Sequence, residues 1–125
     1  MSKDINSRDD LLIIVSDFYG SLFQSDELKS FFEDFKDEEA LAHHLETLVD
    51  FWDNTLFYSG SYKNNAMKPH IELHQKTPLN SVHFKHWLDL LSKAIDKNFQ
   101  GVNAETMKNR ARSIATVMKI KFGIV

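Results

Sequence analysis

The chain has 125 residues, 42% of them hydrophobic, and a formal net charge of −3, which is the profile of one globular domain able to bury roughly two thirds of its unfolded surface. It contains no cysteine, so disulfides, thiolate metal sites, thiol catalysis and covalent haem attachment through C-x-x-C-H are excluded. A pI near 6.0 argues against a nucleic-acid binder, which carries a basic balance and a basic patch.

The N-terminus, MSKDINSRDD, is polar, and the apolar run behind it, Leu11 to Val15, is too short for a signal-peptide core or a membrane span. A soluble, cytoplasmic monomer is the expectation, in keeping with the missing cysteine. From about Arg8 to Gln24, Leu11, Val15, Phe18 and Leu22 recur at helical spacing. Ser7 with Asp10 resembles a capping box with a shortened acidic partner. Gly20, inside this helix, weakens it by about 1 kcal/mol relative to Ala, and close approach of another helix is the expected reason. A short segment from Asp26 to Phe35 carries Leu28, Phe31, Phe32 and Phe35, more large apolar side chains than a surface helix needs.

The next helix starts near Asp37 and runs to Tyr58. Its stripe is Leu41, His44, Leu45, Leu48, Phe51, Trp52, Thr55 and Leu56, and Gly60 is placed just past its end. From Gly60 to Thr77 the pattern is irregular, and a connection of that length inside a compact domain is usually functional or disordered. Thr77-Pro78 reads as a helix start, with a hydroxyl cap and proline in the first turn. That helix continues to about Gln100 with Phe84, Trp87, Leu88, Leu91 and Ile95 inward, and Gly101 ends it. Asn103 caps the last helix, whose stripe is Met107, Ala111, Ile114, Ala115 and Met118. The basic run from Lys108 to Lys121 reads as a solvated face. The result is an all-α chain in one domain over residues 1–125.

Six histidines stand at 43, 44, 70, 74, 83 and 86. None belongs to H-E-x-x-H, and no Glu-x-x-His pair exists for a di-iron carboxylate bundle. One turn beyond His43 and His44 stand Thr47 and Leu48, which excludes a hemerythrin-like pair. His70 and His74 could supply two zinc ligands, but no carboxylate or thiol clearly completes a tetrahedral set. His44 lies on the apolar stripe and needs a partner when buried. Bonding to a backbone carbonyl is the ordinary outcome. Tyr19, Trp52 and Trp87 also carry an O–H or N–H that needs a partner. Converging, these groups would make a polar spot walled by phenylalanines, as a small polar ligand on an apolar cofactor requires.

The segments DFYGSLFQSDELKSFF, HHLETLVDFW followed by GSY, MKPHIELH, HFKHWLDLL and RARSIA, in that order and spacing, resemble a group III truncated haemoglobin. The absence of Gly-Gly pairs suits that group. The resemblance covers nearly the whole chain and implies a two-over-two helical sandwich around non-covalent haem b. It implies that His70 is the proximal iron ligand, and that Tyr19, His44 and Trp87 form the distal pocket, with His44 a gate. It also places Phe32, Leu48, Phe51 and Trp52 on the haem wall, with Met67 and Leu73 beside His70. Arg110, Lys63 and Lys68 are candidate propionate partners, because cations suit carboxylates; Tyr62 is another.

The chemistry agrees with these roles. Neutral imidazole is a good iron ligand, and Pro69 fits the first turn of a short helix carrying His70. His74, one turn later, reads as a surface histidine. A neutral tyrosine donates a hydrogen bond at pH 7, its reference pKa being about 10, and a bond to a charged acceptor contributes roughly 1.5–3 kcal/mol. Tyr19 and Trp87 together would retain O₂ tightly, so slow O₂ release is expected, which suits oxygen transport poorly. The first expectation is therefore a globin for O₂, CO, NO or related diatomics. The second is an NO dioxygenase or peroxidase on the same scaffold, served by an unidentified reductase. The third is a cofactor-free helical interaction domain. None involves nucleic acid or a membrane.

Overall fold

In the computed structural model, which describes residues 3–58 and 79–124, four α-helices and one 3₁₀ segment follow in order. They are α1 (Arg8–Gln24), the 3₁₀ segment (Lys29–Phe35), α2 (Glu38–Phe57), α3 (Ser81–Asn98) and α4 (Val102–Phe122). Helix α1 has the bounds its periodicity predicts. Ser7 caps it, accepting from the Asp10 N–H at 3.2 Å. The Asp10 carboxylate does not accept from the Ser7 backbone N–H, as a capping box would require. That buried carboxylate accepts from the Asn6 N–H at 2.9 Å and pairs with Lys3 at 3.0 Å. A methyl group at Gly20 would meet nothing among the described residues within 4 Å, so approach of a described helix does not account for it.

Asp37 caps α2 by accepting from the Ala40 N–H at 3.0 Å, and Glu38 and Glu39 complement the positive end of the helix dipole. The helix ends earlier than a glycine stop at position 60 would place it. Tyr58 itself takes the left-handed conformation (φ 56°), which costs a side-chain-bearing residue about 1 kcal/mol. Helix α3 begins at Ser81, not at Thr77-Pro78, which lies outside the described residues. The Asn80 side chain accepts from the Val82 and His83 N–H groups, and the His83 Nδ1 accepts from the Asn80 N–H at 3.1 Å. A histidine thus takes the place of the usual glutamate in a capping box.

Helix α4 is capped by a residue distant in the chain. Asp4, not Asn103, accepts from the Asn103 and Ala104 N–H groups at 2.9 and 3.0 Å, and from the Ile5 N–H at 2.9 Å. The Gln100 N–H donates to the Lys3 carbonyl at 2.9 Å, clipping the N-terminal segment to the α3–α4 turn. Gly101 is required here. It sits at φ +147°, and a Cβ would lie 2.5 Å from the Asp4 Cγ.

Helix α1 packs on α2 and α3, α3 packs on α4, and α4 packs back on α2. The core between them is Ile5, Leu11, Ile14, Leu22, Leu91, Ile95 and Met107, all fully buried. Side chains of this size each contribute about 1.5–3 kcal/mol on burial. Arg8 pins α1 to α2 through Asp50 at 2.6 Å and Asp53 at 3.2 Å. Among the described residues no helix is long and apolar enough to cross a membrane.

Candidate functional site

The middle of α1 and the first half of α2 face each other. The apolar period of α1 brings Tyr19 inward one residue after Phe18, and the stripe of α2 brings His44 to the same level. The Tyr19 hydroxyl lies 2.6 Å from the His44 Nε2. Around the phenol, the rings of Phe18, Phe23, Phe32 and Phe35 stand edge-on at 5.6, 6.1, 5.4 and 6.3 Å. Phe35 stacks on the His44 imidazole, with centroids 4.1 Å apart and planes 17° apart. The polar pair is therefore set in an aromatic cage and its imidazole plane is fixed. Phe35 was not singled out as a site residue; the density of phenylalanines between positions 31 and 35 is the signal that marks it.

Burial pushes the Tyr19 phenol well above its ordinary pKa. It is 5% exposed, and an ionised oxygen there would lose its hydration without a cation to replace it. Tyr19 therefore stays a neutral hydroxyl. Its role depends on the imidazole proton. With Nε2 unprotonated, the phenol donates to His44. With Nε2 protonated, His44 donates to the phenol oxygen and releases the phenolic O–H for another acceptor.

Trp87 stands half-buried on α3, edge-on to Phe18 at 5.9 Å. Phe18 touches both Trp87 and Tyr19, so one ring joins Trp87 to the Tyr19–His44 pair. Phe32 borders the cage, in a kink of the 3₁₀ segment where φ is −118°. Leu48 is half-buried on the same face of α2 as His44. Trp52 is 4% exposed and belongs to the core, with Phe51 edge-on to it at 5.2 Å.

Phe51 faces a second feature, a groove of about 340 Å³ between α2 and α4, lined by Phe51, Thr55, Arg110, Ile114, Val117 and Met118. The structure thus brings Arg110 to the same groove as one of the wall residues. His70, Met67 and Leu73 lie outside the described residues, as do His74, Tyr62, Lys63 and Lys68. Among the described residues no three histidine or carboxylate side chains converge as a metal site.

A family profile described as bacterial-like globin matches residues 4–121. A crystal structure of a group III truncated haemoglobin from Campylobacter jejuni superposes with a TM-score of 0.87, covering 98% of this chain and 95% of that one at 19% identity. No curated protein matches. At that identity the structural likeness establishes the fold, a truncated globin.

Proposed function

Because this chain belongs to the bacterial-like globin family, whose fold is built to hold haem, we propose that it binds haem b and uses the Tyr19–His44 pair to retain O₂ and related diatomics. The observation that carries the reading is that pair, 2.6 Å apart inside a cage of phenylalanine rings. An apolar wall with a polar spot fits a flat cofactor that presents a small polar ligand, and the absence of cysteine leaves non-covalent binding. Bound haem supplies the iron at which O₂, CO or NO attaches. His70 would hold that iron. Phe32, Leu48, Phe51, Trp52, Met67 and Leu73 line the macrocycle, and Arg110 pairs with a propionate.

Tyr19 remains a donor because burial keeps it neutral. His44 decides whether that donor is free, and Phe35 holds the imidazole where the exchange takes place. Trp87 offers a second N–H from α3. A ligand whose outer atom gathers negative charge gains most from such donors, so O₂ gains more from them than CO does.

The test is a visible absorption spectrum of purified protein, ferric, then reduced, then under CO. A Soret band that moves at both steps supports the reading. Substituting His70→Gly should abolish the five-coordinate ferrous spectrum, and added imidazole should restore it. No stoichiometric haem uptake after adding hemin would overturn the proposal and leave a helical interaction domain.

A further inference from the structure

The charge of this molecule is divided unevenly. Helix α4 carries five cations, Lys108, Arg110, Arg112, Lys119 and Lys121, against the single carboxylate of Glu105, a net +4. The whole chain carries −3, so everything outside α4 carries −7. Lys108 is neutralised internally by Asp96 at 2.8 Å and Glu105 at 2.9 Å. Among the described residues, Arg110, Arg112, Lys119 and Lys121 are in no ion pair.

These four cations border a strip that a folded helix ordinarily keeps polar. Val117 is 55% exposed and Ile120 is 74% exposed on the outer face of α4. Each side of that ridge falls into a hollow. Toward α3 lies a groove of about 400 Å³ lined by the apolar Phe84, Leu88 and Ala115 and by three cations, Lys85, Arg112 and Lys119, against the single carboxylate of Asp89. Toward α2 lies the groove that holds Arg110, Val117 and Phe51. An apolar lining with an excess of cations is the anatomy of a protein contact whose partner is acidic. A lipid surface fits less well. It is flat where this face is a ridge between hollows, and an anionic membrane would repel the −7 of the remaining surface.

We propose that the outer face of α4 docks an acidic one-electron carrier protein, which delivers an electron to the haem. This rests on the haem-binding reading above. That reading puts Phe51 on the haem wall, and Phe51 shares a groove with Arg110 and Val117, so a carrier seated on this face is beside the cofactor. The transfer is balanced by one electron: the carrier is oxidised by one unit, ferric iron becomes ferrous, and no bond or proton moves. Small, salt-sensitive contacts are usual for such encounters.

The test uses haem-loaded ferric protein and a reduced plant-type [2Fe–2S] ferredoxin, an acidic carrier, mixed without oxygen under CO. The Soret shift gives the second-order rate constant. Haem uptake is read first. Its failure overturns the globin reading and this inference together. With haem present, the rate constant should fall about tenfold or more between about 10 and about 200 mM salt. The variant R112E/K119E/K121E should lower the low-salt value about tenfold and weaken calorimetric binding of oxidised ferredoxin by a similar factor. Reduction by dithionite and the circular dichroism should be unchanged. Arg110 is left in place because it shares the groove of Phe51. The variant R112K, which keeps the charge, should react as the parent does. A salt-independent rate constant, or equal rates and affinities in parent and triple variant, would overturn the docking face while leaving the globin reading intact. Tighter binding to phosphatidylglycerol vesicles than to ferredoxin, lost in the triple variant, would replace the carrier with a membrane.

Discussion

Two polar side chains, the half-buried Asp4 and the buried Tyr19, occupy opposite situations in this molecule. The Asp4 carboxylate is held by three backbone N–H groups, from Ile5, Asn103 and Ala104. Burial alone would raise its pKa, but these backbone N–H groups, Asn103 foremost, outweigh that and hold it below the usual carboxylate value. Tyr19 has one hydrogen-bond contact among the described residues, to His44, and is otherwise surrounded by rings. A saturated polar group closes a structure. A polar group with unused capacity in a dry, aromatic cage is available to a ligand. The comparison predicts that changes around Asp4 move stability, whereas changes around Tyr19 move ligand retention.

The largest effect should come from Gly101→Ala. The added Cβ meets Asp4 at 2.5 Å, and φ +147° is hostile to any side chain, so about 3 kcal/mol or more of stability should be lost. Asp4→Ala should cost about 2 kcal/mol, by leaving two helix N–H groups without a cap. Urea unfolding measures both, and the ferrous–CO spectrum of the folded fraction should be unaltered in both. A changed spectrum would break the division between the two regions.

Tyr19→Phe should do the reverse. O₂ dissociation should accelerate about 10- to 100-fold, the equivalent of a lost hydrogen bond to a charged acceptor, while CO dissociation changes less. Stopped-flow displacement of O₂ by CO reads the rate. An unchanged rate would remove Tyr19 from the distal donors and make its contact with His44 purely structural.

Much of this division was legible in the chain. The bounds of α1, its serine cap and the inward stripe of α2 follow from a 3.6-residue period that burial enforces. The neighbourhood of Tyr19 and His44 follows once those two stripes face one another. The cap on α4 was not legible, because Asp4 lies about a hundred residues from the N–H groups it serves and local rules point to Asn103. The start of α3 was misplaced for a similar reason. Thr77-Pro78 is a stronger local signal than Asn80, yet Asn80 takes two N–H groups and gains His83 in return. Phe35 escaped notice because a ring that stacks on an imidazole looks, in sequence, like any core phenylalanine.

Acid should sharpen the contrast further. Asp10, like Asp4, is held below its ordinary pKa: burial pushes it up, and the Asn6 N–H, Lys3 and the Ser7 hydroxyl more than offset that. For both carboxylates the folded pKa lies under the unfolded value of about 3.9. Their contribution is therefore fully present above about pH 4 and is lost as pH falls through the lower folded values. The combined variant D4N/D10N should lose stability at neutral pH and show a flatter stability curve below about pH 4. Tyr19 does not titrate in that range, so Tyr19→Phe should leave the slope as it is. Chemical denaturation at a series of pH values checks both statements.

The smallest predicted effect bears on the same cage from its outer side. Gly20 follows Tyr19 directly, is exposed, and has no atom of the described residues within 4 Å of a would-be Cβ. If helix propensity alone applies, Gly20→Ala should stabilise the protein by about 0.5–1 kcal/mol. The measurement is most informative when made twice, on cofactor-free and on haem-loaded protein. Equal stabilisation in both would make Gly20 a plain imperfection in α1, remote from the ligand. Stabilisation of the cofactor-free protein alone, with weaker haem retention, would mean that the missing side chain leaves room the cofactor uses. The boundary between closing structure and ligand cage would then run through the α1 backbone itself, one residue beyond Tyr19.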